Sequence, residues 1–173
     1  MRLRLAAVVV VLTTACPRKA APLAPPLDAG VKAQLRAGIK VPMPEGWTAR
    51  VGQDGTFRAG PTGRLLLRID REPGLGDALP SAELMRTTYA TALKATILRS
   101  DKVEQSPGFV AVTLILSRRG AVAGAPDGVT LLAAKSLGED LILCSTAPNS
   151  SAAEVLAALH ACEQAQLAGP GGD

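Results

Sequence analysis

Aromatic residues are scarce in this chain. Its 173 residues include one Trp, one Tyr and two Phe: Trp47, Phe57, Tyr89 and Phe109. Recognition of single-stranded nucleic acid by base stacking needs aromatic platforms, so that class is excluded. A single histidine and three cysteines leave little for a zinc site or for nucleophilic catalysis. No cofactor and no metal is therefore expected. Long apolar runs are also missing. The apolar run near the start, Leu5–Ala15, has 11 residues. As a helix it would reach about 16 Å, against roughly 30 Å of hydrocarbon. Disorder is excluded as well, because 47% of the residues are hydrophobic. The core must be built from Leu, Val, Ile and Ala.

What is present begins with an address. Arg2 and Arg4 precede the apolar run, and charge before a short apolar run is the pattern of a secretory signal peptide. The run ends Leu12-Thr13-Thr14-Ala15-Cys16. This resembles the lipobox of bacterial lipoproteins, although Thr13 stands where Leu is usual. The resemblance implies cleavage before Cys16, acylation of its thiol and amino group, and membrane attachment through the acyl chains. Several chains hold a protein stably where one does not. The expected place is the cell envelope, facing the periplasm, on the outer rather than the inner membrane. Residues 16–37 follow as a tether. Pro17, Pro22, Pro25 and Pro26 forbid a continuous helix through its first half. An extended tether of this kind holds a domain up to roughly 60 Å from the bilayer. Residues 28–37 have the composition for a short helix.

The formal charge is +4. Arg2 and Arg4 belong to the segment 1–15, and Arg18, Lys19, Lys32 and Arg36 to the tether. Residues 38–168 carry 13 basic and 13 acidic side chains. The basic excess belongs to export and tethering, and no nucleic-acid partner is expected.

Residues 38–168 read as the globular domain, with a tail at 169–173. A short strand opening at Ile39 is cut off by Pro42 and Pro44. Trp47–Val51 and Thr56–Ala59 flank the turn signal Gln53-Asp54-Gly55. Arg64–Asp70 is a strand, and Glu72–Pro80, with two Pro and two Gly, is a loop. Ser81 is placed as an N-cap, with Glu83 in the first turn of a helix over 82–98. Lys102–Ser106, Phe109–Arg119, Val129–Leu137 and Leu141–Thr146 are strands. Ser151 and Glu154 have capping-box spacing ahead of a helix over 152–167. This order predicts an α+β domain: a mainly antiparallel sheet with two helices packed on one of its faces. Phe109–Ser117 is apolar on both faces and is expected at the centre of the sheet.

Ile142 and Cys144 share one face of the last strand. Val155, Leu159 and Cys162 share one face of the last helix. Both thiols then point into one helix–sheet interface, and a Cys144–Cys162 disulfide is expected in an oxidising compartment. The alternative is two buried free thiols, since cysteine is a frequent core residue.

Other chemistry-bearing residues read as structural. His160 shares a stripe with Leu156 and Glu163 beside the buried face. Asp70/Glu72 and Glu139/Asp140 lie at strand ends and turns. Gly74-Leu75-Gly76 lacks the third glycine of a dinucleotide loop and reads as a flexible connection. Trp47 is either a core anchor or part of a contact surface. The loop Arg118–Gly128, with Arg118 and Arg119 at its start, is either a connection or a partner-contact loop.

The sequence Val41-Pro42-Met43-Pro44-Glu45-Gly46-Trp47 is followed by a meander, a helix with Tyr89 and a long hairpin. Leu141–Thr146 then precedes a final helix. This order resembles the PsbP/Mog-type α+β sandwich. Proteins of that group mostly bind or support larger assemblies, so the resemblance implies a non-catalytic domain with an envelope protein partner. A second class, a carrier of a small apolar or lipid ligand held between sheet and helix, is carried beside it, because Ala-rich helices can leave a cleft.

Overall fold

The computed structural model describes residues 32–34, 37–92, 96–118 and 128–169. The element order is β1 (Ile39–Lys40), β2 (Trp47–Val51), β3 (Phe57–Pro61), β4 (Leu67–Glu72), α1 (Ala82–Ala92), β5 (Thr96–Ser106), β6 (Phe109–Arg118), β7 (Gly128–Leu137), β8 (Asp140–Thr146), α2 (Ala152–Glu163) and β9 (Gln166–Leu167). Cys16 and most of the tether lie outside the described residues.

The fold is α+β, as expected. Seven strands form one antiparallel sheet in the order β2-β3-β4-β8-β7-β6-β5. Two meanders build it, β2–β4 and β5–β8, joined where β4 lies beside β8. Short turns join β2 to β3, β5 to β6 and β7 to β8. Gly55 (φ 79°) supplies the left-handed backbone that the β2–β3 turn needs. There the Asp54 carboxylate accepts from the Thr56 amide at 3.2 Å, which holds the Asp54 carboxyl below its ordinary pKa.

The helices cover opposite faces of the sheet, not one face as the element order suggested. In β6, Phe109 and Ala111 belong to the cluster beneath α2, while Val112, Leu114 and Leu116 pack with Met85 and Tyr89 of α1. In β7, Leu131 and Ala133 face α2, whereas Leu132 and Ala134 belong to the α1 side. β6, expected at the centre of the sheet, is instead the sixth of its seven strands; β6 and β7 are apolar on both faces, and each face takes one helix. The result is a three-layer sandwich.

Two helix ends also differ from expectation. α1 is described to Ala92, and the chain is already in β5 from Thr96, so the helix does not reach 98. Thr96 and Ile97 are β-branched, and their segment pairs with Arg118 and Ser117 of β6. α2 stops at Glu163, where the Lys135 ammonium donates to the carbonyls of Glu163 and Ala165. Burial pushes the Lys135 pKa down. Gln166 and Leu167 then pair with Lys40 and Ile39, so β1 and β9 form a small sheet of their own.

The N-caps form as read. Ser81 Oγ accepts from the Leu84 amide at 3.2 Å. Ser151 and Glu154 make the full reciprocal box at the start of α2. Upstream of residue 38, residues 32–34 are helical and Ala33 is buried in the main core. Gln34 exchanges two hydrogen bonds with the backbone of Val41, at 2.9 and 3.2 Å.

Candidate functional site

The α2 side holds the larger core and is covalently fastened, with a cleft of about 340 Å³ where α2 meets β5, β6 and β7. Cys144 on β8 and Cys162 on α2 form a disulfide, with Cα atoms 6.4 Å apart. Both are buried, among Phe57, Ile69, Leu131, Ile142, Val155 and Leu159. The bond spans 18 positions and ties the last strand to the last helix.

The α1 side is open. Met85 and Tyr89 point inward but stay half-buried, and Leu84 is 58% exposed. Between α1 and strands β4, β7 and β8 runs a cleft of about 350 Å³. Leu84, Met85, Leu132 and Leu143 give it an apolar floor and wall, with Asp70, Thr88 and Ser145 among its polar groups. The Tyr89 hydroxyl anchors one end of the helix at 3.2 Å from Thr130 Oγ1. Thr130 in turn donates to the Thr146 carbonyl at 2.8 Å. Small residues on α1 and half-exposed leucines beneath it leave the space that larger side chains would have filled.

Asp70 beside the cleft and Asp140 at the β7–β8 turn are both already engaged. Asp70 accepts from Arg68 Nε at 2.7 Å, from Arg68 Nη2 at 3.0 Å and from Thr56 Oγ1 at 2.8 Å. Its interactions raise the Arg68 pKa above the ordinary value. Asp140 is buried and accepts from Arg71 Nε at 2.7 Å and from the Gly74 amide at 3.3 Å. Sequence reading took Asp140 as a turn charge; the structure makes it the fastening of the Glu72–Pro80 loop. That loop is held a second time by the Gly76 amide, which donates to the Glu139 carbonyl at 2.8 Å. A Cβ at Gly76 would stand 2.0 Å from the Gly138 carbonyl oxygen, so only glycine allows this approach. The segment Gly74-Leu75-Gly76 is thus docked on the β7–β8 turn, where a flexible connection was expected.

The remaining candidates are spread out. Trp47 opens β2 opposite Pro61, half-buried against the main core. Arg118 ends β6 opposite Thr96. Arg119 and positions 120–127 lie outside the described residues. Trp47 stands on the first strand of the sheet order and Arg118 on the sixth of seven, so they do not come together. His160 is exposed on α2, with Nδ1 3.9 Å from Glu163 Oε2. Among the described residues no group of three or more His, Cys, Asp or Glu is placed to hold a metal, and no helix is long and apolar enough to cross a membrane.

Sequence reading carried a cleft between sheet and helix as its second reading, without placing it under α1. Its only signal was the run of Ala and Thr on α1, which marks weak filling but not position.

No family model and no curated protein sequence matches the chain. Among solved structures it is similar to cyanobacterial PsbP from Synechocystis, with a TM-score of 0.45 and 15% identity over 76% of this chain and 88% of that one. A crystal structure from Bacteroides thetaiotaomicron gives a TM-score of 0.39 and 14% identity over 79% of this chain and 47% of that one. The chain thus spans about half of the Bacteroides protein. Both are weak likenesses of fold.

Proposed function

We propose that this chain is a non-catalytic, lipid-anchored envelope domain that binds a partner protein through the cleft beneath α1. The anchor is Cys16 at the end of the lipobox-like run, and the domain faces the periplasm on its tether. The observation that carries the binding role is the cleft: an open, largely apolar channel of about 350 Å³ beside Leu84, Met85, Leu132 and Leu143. An apolar side chain from a partner would bury Leu84, Met85, Leu132 and Leu143 at about 25 cal/mol per Å² of apolar surface removed from water. Asp70, Thr88 and Ser145 would orient the polar groups beside it. The engaged state of Asp70 and Asp140 favours a structural part for these acids over acid–base chemistry.

The cleft also favours a second reading. A volume of about 350 Å³ is within the range of small-molecule sites, so an apolar or lipid ligand is the alternative occupant. One experiment separates them. The full chain is captured from membranes by cross-linking, alongside Leu84→Asp and Cys16→Ser. Partner binding predicts a protein that is enriched with the parent chain and lost with Leu84→Asp. A ligand carrier instead shows a bound lipid by native mass spectrometry, also lost with Leu84→Asp, and no enriched protein. Detergent partitioning that Cys16→Ser leaves unchanged would remove the anchor.

A further inference from the structure

The sheet ends on β5, its longest strand at 11 residues, and among the described residues no strand pairs with its outer edge. A register shift between Leu98 and Ser100 interrupts the ladder to β6. Pro107, which has no amide hydrogen, follows the strand at its other end. The regular edge is therefore Ser100-Asp101-Lys102-Val103-Glu104-Gln105-Ser106, and its middle residue is Val103.

That stretch is complementary to its own reverse. Laid antiparallel against a second copy about Val103, it places Val103 against Val103, Lys102 against Glu104, Asp101 against Gln105 and Ser100 against Ser106. Val103 is 46% exposed, one of few large apolar side chains left in water. Lys102 and Glu104 already share one face of the strand, with Nζ 2.9 Å from Oε1. In the pair, two such couples would form a square of alternating charge. Residues directly opposite in an antiparallel ladder have Cβ atoms about 5 Å apart, and opposite charges there attract. Bulges and edge charges commonly keep sheet edges apart. Here the bulge lies outside the seven-residue stretch and bounds it, and the charges oppose each other favourably in this one register.

We propose that the β5 edge is a self-association surface, on which two copies of this chain pair antiparallel about Val103 and join their sheets. The pairing uses the sheet edge and leaves the cleft beneath α1 free, so it stands independently of what that cleft binds.

The test is oxidative cross-linking of the full chain in cells, with copper–phenanthroline as oxidant. Val103→Cys is expected to give a reducible species of twice the chain mass. Thr48→Cys, on the exposed opposite edge strand, is the control and is expected to give none. In the Val103→Cys background, Glu104→Lys sets Lys opposite Lys and should lower the yield about tenfold. Adding Lys102→Glu reverses both charges and should restore it. The proposal is overturned if Val103→Cys cross-links no better than Thr48→Cys. It is also overturned if the charge reversal does not restore the yield, or if the thiol at 103 is captured by a different protein.

Discussion

The two faces of the central sheet are covered in different ways. Beneath α2 lies one continuous core that reaches from Ala33 and Ile39 through Phe57 and Ile69 to Val155 and Ala165, crossed by the Cys144–Cys162 bond. Beneath α1 lie two small clusters, centred on Val110 and on Val112–Leu116, with half-buried side chains packed around them. The same strands serve both faces, so strand propensity does not explain the contrast. The helices do. α2 buries Val155, Ala158, Leu159, Ala161 and Cys162 along one side. α1 offers mainly Met85 and Tyr89, and leaves Leu84 in solvent. The lesson is a difference in filling: the core beneath α2 is large and cross-linked, whereas α1 covers its face with few side chains.

That comparison can be broken or sharpened by experiment. The largest effect is expected from Phe57→Ala in the core beneath α2. Phe57 is fully buried, and its truncation should cost about 4 kcal/mol in urea unfolding. Removing the disulfide with Cys144→Ala and Cys162→Ala should cost about 3 kcal/mol. On the open face, Met85→Ala should cost about 1 kcal/mol, because the side chain is half exposed and borders existing space. A Met85→Ala cost equal to that of Phe57→Ala would end the distinction between the faces.

A smaller effect concerns the cap of α2. The Glu154 carboxyl has a lowered pKa, first because of its bond from the Ser151 amide and also through Arg64, 3.2 Å away. A depressed carboxyl contributes stability above its unfolded pKa and loses it as pH falls through the folded value. Glu154→Ala should therefore cost about 1 kcal/mol at neutral pH, and the difference should close in acid. The smallest stability change belongs to Leu84→Asp, expected within about 0.5 kcal/mol of the parent for an exposed position. Its effect should appear in capture by the cleft instead.

Much of this was legible in the chain. The strands from Phe109 to Thr146 carry strong local patterns, and the Ser151/Glu154 cap is written in four residues. The cysteine pair followed from two periodicities, 2 for the strand and 3.6 for the helix. The side taken by α1 was misjudged, though a clue existed: a strand apolar on both faces needs cover on both. Other features join residues far apart, and no local pattern marks them. Arg71 meets Asp140 across 69 positions, and the β1–β9 pair is only two residues long on each side. Likewise residues 96–98 belong to β5 and not to α1 because they pair with β6, which a helical stripe does not register. The cleft is a property of filling, and filling is decided by three-dimensional neighbours.

The small β1–β9 pair has a consequence for how the chain is wired. Ile39 opposite Leu167 brings the entry and exit of the folded segment to within a few ångströms of each other. The path between them is thus nearly a closed circuit. A permuted gene that joins these two points with a short linker, and opens the chain at the exposed turn of Thr62 and Gly63, would keep every pairing of the seven-stranded sheet. Where the polypeptide starts would then be a matter of genetic order, with the architecture indifferent to it.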